Sequence, residues 1–403
     1  MTHINIHGFP LALLALAAGA AQAQQSPYYI GGSLGVTHVS NIYRTGGVQP
    51  RNNDNVTTAT LLAGLDQRLG RQRLFGDVSL RSNSYENNRS LRNNGYALNA
   101  GLDWETIGRL SGQLSVNSNR NLAQFNPGGG APSVTKKNIE QTDQARASVR
   151  YGLASLLTLE GSLTHRRRDY SASEYDAYDY QQDTVSVGLT YRPSSALTLG
   201  VALRYGDGKY PHVPLGGGRS AVDDFTSKNV DLTGTWVPSA ASTLSARLSA
   251  SRRDRSLASS TDFSGATGSL TWNWQPTARL KINTTVMRDS GDETSFFNLG
   301  NIGGFTSDYS LVTNSLQINS SYELTGKVQL DAGLSHYDRS LSNSFQGNGD
   351  DKSTSLSLGL RWMVTRNGLI GCQINHDKRS GQSRFSSPYS ANSYGCYGQI
   401  TLR

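Results

Sequence analysis

The chain has 403 residues, 36% of them hydrophobic and 17% charged, with a formal net charge of +8, and its mean hydropathy is −0.46. No run of about 18 apolar residues occurs, which excludes a membrane-spanning helix, and so few charges beside 43 glycines and 19 tyrosines do not suit an ordinary soluble surface. What remains is a sheet protein whose strands alternate an apolar and a wet face, so that the average hides the apolar half.

The chain opens on a segment expected to be removed. Phe9–Ala21 is a short apolar stretch, and Ala21-Gln22-Ala23 is an A-x-A cleavage site. Residues 1–23 therefore read as a secretory signal peptide, although His3 and His7 stand where Lys or Arg is usual. No lipobox Cys follows, so a lipoprotein anchor is not expected. Residues 24–403 read as one barrel.

Beyond Gln24 short segments alternate with period two, the pattern of a strand with one apolar face. Leu98, Ala100, Leu102 and Trp104 alternate with Asn99, Gly101 and Asp103. Val185, Val187, Leu189 and Tyr191 repeat the pattern, as do Val328, Leu330, Ala332 and Leu334, and then Leu356, Leu358, Leu360 and Trp362. Short connections fall near Leu69–Gln72, Thr106–Arg109, Gly152–Ser155, Pro193–Ala196, Pro238–Ser242, Pro276–Arg279, Thr325–Lys327 and Thr365–Gly368. Pro, Gly and Ser supply their turn chemistry. Long polar connections alternate with them, among them Asn121–Asn138, Gly206–Lys228 and Ser290–Ser307. One short turn per long loop is the wiring of a transmembrane antiparallel outer-membrane β-barrel, and the runs number about 18 strands.

Strands entering the short turns end in an aromatic in the apolar register: Trp104, Tyr151, Tyr191, Trp236, Trp272, Trp274, Tyr322 and Trp362. Indole and phenol rings favour the membrane–water boundary, so these residues are expected to form the periplasmic girdle. A sandwich or propeller would have no reason to gather its tryptophans at one end of alternate strands.

The opposite register predicts the lumen wall. It carries Arg81, Arg146, Arg150, Arg166, Arg168, Arg192, Arg204, Arg247, Arg253, Lys281 and Arg361, against the acids Asp77, Asp103, Glu160 and Asp331. Arg grips carboxylate or phosphate through a two-pronged fork, and rings of Arg filter anions. The alternative is that bases and acids pair and stiffen the wall. Cys372 and Cys396 share the apolar register of the last two strands, so a disulfide is expected. Neither has His or an acid at metal-ligand spacing, and no metal or other cofactor is expected. The loops Ser82–Asn94 and Ser342–Lys352, and a cluster of Tyr170, Tyr175, Tyr178 and Tyr180, could stack and hydrogen-bond sugar rings or serve as plain solvated loops. Gly128–Gly130 and Gly216–Gly218 lack the following Lys-Ser/Thr of a phosphate cradle. No nucleophile–base–orienter pattern exists, so an enzyme is not expected.

Gly35-Val36-Thr37-His38-Val39-Ser40-Asn41-Ile42-Tyr43-Arg44, Gly70-Arg71-Gln72-Arg73, Leu110-Ser111-Gly112-Gln113-Leu114-Ser115-Val116 and the tail Tyr394-Gly395-Cys396-Tyr397-Gly398-Gln399-Ile400-Thr401-Leu402-Arg403 resemble a family of β-barrel porins encoded with exopolysaccharide clusters, the EpsL type. The resemblance implies an outer-membrane barrel serving polymer export and offers no catalytic residues. On that reading the chain is a passive, wide pore for an anionic exopolysaccharide. Its partners would be outer-membrane lipid, the saccharide, the barrel-assembly machinery and periplasmic export components, with no nucleic acid. The rival readings are a nutrient-uptake porin for sugars or small anions, and a plugged structural or adhesive barrel.

Overall fold

The computed structural model describes residues 26–46, 52–127, 133–154, 156–216, 219–257, 262–290, 311–343, 347–381 and 387–403. The expected leader, the Gly128–Gly130 triplet and most of Ser290–Ser307 lie outside these residues.

Eighteen antiparallel strands run in chain order. They are β1 (Tyr28–Val39), β2 (Asp54–Leu69), β3 (Gln72–Tyr85), β4 (Asn93–Glu105), β5 (Leu110–Leu122) and β6 (Ile139–Ala154). Next come β7 (Leu157–Tyr170), β8 (Tyr180–Tyr191), β9 (Leu197–Gly216), β10 (Arg219–Ser239), β11 (Ser242–Arg255) and β12 (Phe263–Trp274). The last are β13 (Leu280–Asp289), β14 (Leu311–Thr325), β15 (Val328–Asn343), β16 (Gly347–Met363), β17 (Gly368–Ser380) and β18 (Tyr389–Leu402). Each strand pairs with its sequence neighbours, and β1 pairs with β18 from Ile30↔Leu402 to Val39↔Ser393. That pairing closes the sheet and leaves no open edge.

The period-two pattern decides which side chains face out. Leu163 (59% exposed), Leu203 (65%), Leu248 (59%) and Ile374 (59%) stand on the outer face, while their strand neighbours Thr164, Arg204, Arg247 and Ser249 are buried inside the ring. Such exposure of aliphatic residues around nearly the whole ring would be unfavourable in water, and it is the ordinary state of a lipid-facing barrel wall. Trp236, Trp272, Trp274, Tyr322 and Trp362 are likewise exposed near the short turns, and Trp272 and Trp274 stack with centroids 5.1 Å apart.

Several inward aromatics lie directly opposite a glycine: Tyr29↔Gly64, Phe75↔Gly101 and Tyr397↔Gly371. A Cβ at Gly64 or Gly371 would fall 2.2 or 2.5 Å from the ring of its partner. The missing side chain lets the ring lie flat across the strand and covers exposed backbone. The tight β2–β3 turn uses Gly70 at φ 63°, a backbone region that glycine enters without strain.

Two connections differ from the sequence reading. Gly206–Lys228 is not a loop: β9 extends to Gly216 and β10 begins at Arg219, forming a long hairpin. Its Gly and Pro content suggested a loop. However, β9 leaves β8 after Lys209, so Pro211 and Pro214 need satisfy only one partner strand, whose register shifts between Ala221 and Asp223. Likewise the expected loop Ser342–Lys352 is mostly strand, β15 running to Asn343 and β16 from Gly347.

Candidate functional site

The functional candidate is the lumen. Its wall is polar by the same alternation that makes the exterior apolar. On β7, Thr164, Arg166 and Arg168 face inward while Leu163, His165 and Arg167 face out, as their burial shows. Arg146 and Arg150 on β6 share the inward register of buried Ser148. Arg204 on β9, with Arg247 and Arg253 on β11, is buried within the ring. These residues make one arc, β6 to β11, strongly basic.

Acids partly neutralise that arc. Asp231 on β10 lies between the two arginine-bearing strands. Arg204 donates to it through Nε and Nη2 at 2.8 and 3.0 Å. Ser249 donates to it at 2.5 Å, and Arg247 Nη1 stands 3.7 Å away. One carboxylate thus serves two guanidinium groups. Arg361 is gripped by Asp331 through a fork at 2.6 and 2.8 Å. Base–acid pairing therefore occurs both inside the β6–β11 arc, at Asp231, and outside it, at Asp331.

Other predicted positions divide as follows. Arg81 on β3 and Lys281 on β13 fall in the inward register. Arg192 lies past the end of β8, in the turn, where its Nε donates to Thr198 at 3.3 Å. Arg168 is 1% exposed, and its Nε and Nη2 donate to the carbonyl of Tyr178 at 3.1 and 2.7 Å. It also stacks over Tyr180 at 4.7 Å, so it props the β7–β8 loop. Arg166 stacks on the same ring at 5.3 Å. Its Nε and Nη1 are shielded and have no hydrogen-bond partner.

The tyrosine cluster is a correction to the sugar-platform expectation. Tyr175, Tyr178 and Tyr180 are buried. Tyr175 and Tyr178 pack on Val134 of the β5–β6 loop, and Tyr180 packs on Tyr210 and Phe225 of the β9–β10 hairpin. Rings covered in this way are held by protein contacts and have no face open to a saccharide.

The β5–β6 loop reaches to the far side of the ring. Phe125 packs on Ile42 and Leu91, which come from the β1–β2 and β3–β4 loops. Two residues on, the loop meets β15 and β17, far around the ring. Arg379 on β17 donates through Nη1 to the Asn126 carbonyl at 2.9 Å and its Oδ1 at 2.8 Å, and through Nη2 to the Pro127 carbonyl at 2.7 Å. Arg339 on β15 donates to the same Pro127 carbonyl at 3.1 Å and pairs with Asp351 at 2.8 Å. Asn126 Nδ2 donates to the Arg44 carbonyl at 2.8 Å. Two buried arginines thus clamp a loop across the lumen. Neither was legible beforehand, because each lies beyond the clean alternation of its strand and meets a partner more than a hundred residues away in the chain.

The expected disulfide is present. Cys372 and Cys396 are directly opposed on β17 and β18 and bonded, on the outer face, with a Cα–Cα distance of 4.0 Å.

A closed ring, a lipid-facing apolar exterior and a wet interior define a bacterial outer-membrane β-barrel of the porin type. The comparisons agree on the fold. The chain resembles Pseudomonas aeruginosa OccK2 (OpdF), solved in complex with glucuronate, with a TM-score of 0.50 and 13% identity over 93% of this chain and 98% of that one. OccK2 solved alone gives a TM-score of 0.50 at 11% identity over the same shares of the two chains. Acinetobacter baumannii OccAB4 gives 0.49 at 9% identity over 94% of this chain and 99% of that one. At these identities the likeness concerns the fold. No family model and no curated protein matches the chain, so the resemblance to exopolysaccharide-associated barrels finds no support there.

Proposed function

We propose that this barrel is a passive uptake channel for small anionic solutes, carboxylates above all, and not an exporter of polymer. The observation that carries the reading is the basic arc of β6–β11 inside a lumen crossed by the clamped β5–β6 loop. A polymer exporter needs a wide clear bore, whereas a loop pinned by Arg339 and Arg379 leaves room for small molecules beside it. Within the arc, Arg166 lies over the Tyr180 ring and keeps two guanidinium donors, Nε and Nη1, without a hydrogen-bond partner. Arg146 and Arg150 continue the basic track toward the short turns. Contacts of this kind stay weak enough for release when they are several and spread along the path. OccK2, whose structure contains glucuronate, supports a sugar acid as the first solute to try.

The test is ion selectivity in planar bilayers. The wild-type channel is expected to prefer chloride and to be blocked transiently by glucuronate. Arg146→Glu with Arg166→Glu is expected to lower the anion preference about tenfold, since each reversal replaces attraction by repulsion in a narrow, poorly screened space. These two side chains are better targets than Arg168, whose loss would release the β7–β8 loop. An unchanged reversal potential would overturn the proposal, and passage of a long polysaccharide through the wild-type channel would restore the export reading.

A further inference from the structure

Four of the five histidines in the described strands follow one rule, His212 of the β9–β10 hairpin standing apart. His38, His165, His336 and His376 all stand in the outward register, near the loop end of the apolar belt. Each bonds through Nδ1 to the residue directly opposite on the next strand. His38 meets Asn55 Oδ1 at 2.9 Å and His165 meets Asp183 Oδ1 at 2.7 Å. His336 meets Thr354 Oγ1 at 2.9 Å, and His376 meets Asn392 Oδ1 at 2.6 Å. Amide and carboxylate oxygens only accept, so they place the hydrogen on Nδ1 and leave Nε2 as the remaining ring nitrogen.

The pattern is densest on β15–β17. His336, Thr354 and Lys378 lie side by side in one lateral row, and His376 sits one outward position below Lys378. Immediately beneath are the lipid-facing Leu356 and Ile374, 49% and 59% exposed. Lys352 is taken up by Asp338 at 3.3 Å. Lys378, in contrast, has hydroxyls, Thr354 and Ser390, as its lateral neighbours. Three groups able to carry positive charge therefore crowd the boundary where acyl chains give way to headgroups.

We propose that His336, His376 and Lys378 form a binding surface for the phosphate of an outer-leaflet glycolipid. The acyl chains would lie along Leu356 and Ile374, and the phosphate would meet the ammonium and the two Nε2 edges. Charge complementarity and continuity with the apolar belt select this occupant. A second protein would need a broader face than one headgroup row supplies, and free phosphate would gain nothing from the aliphatic residues below. A phosphate monoester with a second pKa near 6 can share its proton with an imidazole, so neutral histidine does not forbid the contact.

The experiment uses the full mature barrel in detergent, exchanged with a bis-phosphorylated acylated glucosamine disaccharide or with the same lipid stripped of phosphate. Retained lipid is counted by native mass spectrometry. The wild type is expected to retain the phosphorylated lipid about tenfold better than the stripped one. His336→Gln with His376→Gln and Lys378→Gln is expected to abolish that preference while heat-modifiable migration and single-channel conductance stay unchanged. Lys378→Gln alone, which breaks no cross-strand bond, is expected to give an intermediate loss. Equal retention of both lipids by the wild type, an undiminished preference in the triple variant, or displacement of the lipid by millimolar inorganic phosphate would overturn the proposal.

Discussion

Asp179 shows how one half-buried carboxyl can tune a loop. It ends the β7–β8 connection, outside the membrane-spanning strands, and accepts the Tyr170 N–H at 2.7 Å. Burial pushes its pKa up to about 6; the Tyr170 N–H opposes the shift, while Asp169 and Asp176 add to it. The folded loop therefore holds a proton that the opened loop, near 3.8, has already shed. Its contribution to loop stability is complete below the lower value and is lost as pH rises through the upper one. Hydrogen exchange, corrected for intrinsic rates, is expected to show residues 171–179 better protected at about pH 4 than at about pH 7. Asp179→Asn should remove the difference, and a wild-type loop equally protected at both values would contradict the assignment. Nothing in the local sequence announces this: the Tyr-Asp-Tyr run looks like solvent-exposed loop until the burial of Tyr178 and Tyr180 is known.

Elements were legible to the extent that their two faces differ. The alternating apolar positions of β4, β8, β15 and β16 marked strands, and the turn at Thr106–Arg109 fell where Pro-, Gly- and Ser-type chemistry placed it. The β9–β10 hairpin was misread because above the membrane both of its faces are mixed, so period two vanishes while the ladder continues. The β5–β6 clamp was hidden for another reason: it depends on Asn126 and Pro127 meeting Arg379 and Arg339, contacts that no local pattern encodes. Arg379→Ala with Arg339→Ala is expected to free this loop and raise single-channel conductance, with the folded barrel retained because its strand pairing is untouched. Unaltered conductance would mean that the loop does not set the bore. At β17–β18 the disulfide bridges residues 24 apart in sequence, and closing a loop of that size stabilises by about 3 kcal/mol in the chain-entropy account. Cys372→Ser with Cys396→Ser should therefore lower the temperature of the heat-modifiable gel transition, and reductant should do the same to the wild type. Matching midpoints in all three would show that the bond contributes little.

At the scale of the whole molecule, one alternation produces both surfaces, which is why class and location could be read before any atom was placed. The filling of the lumen could not, because it comes from loops whose residues answer to each other across the ring. The aromatic girdle has a practical consequence. All five tryptophans of the chain, Trp104, Trp236, Trp272, Trp274 and Trp362, belong to the turn ends of their strands, so the ultraviolet emission of the protein arises almost wholly from one rim. A water-soluble quencher trapped on a single side of a proteoliposome would dim that emission or spare it according to which rim faces the trapped solution. The barrel thus carries its own optical compass, and the direction in which a population has inserted can be measured without attaching any label.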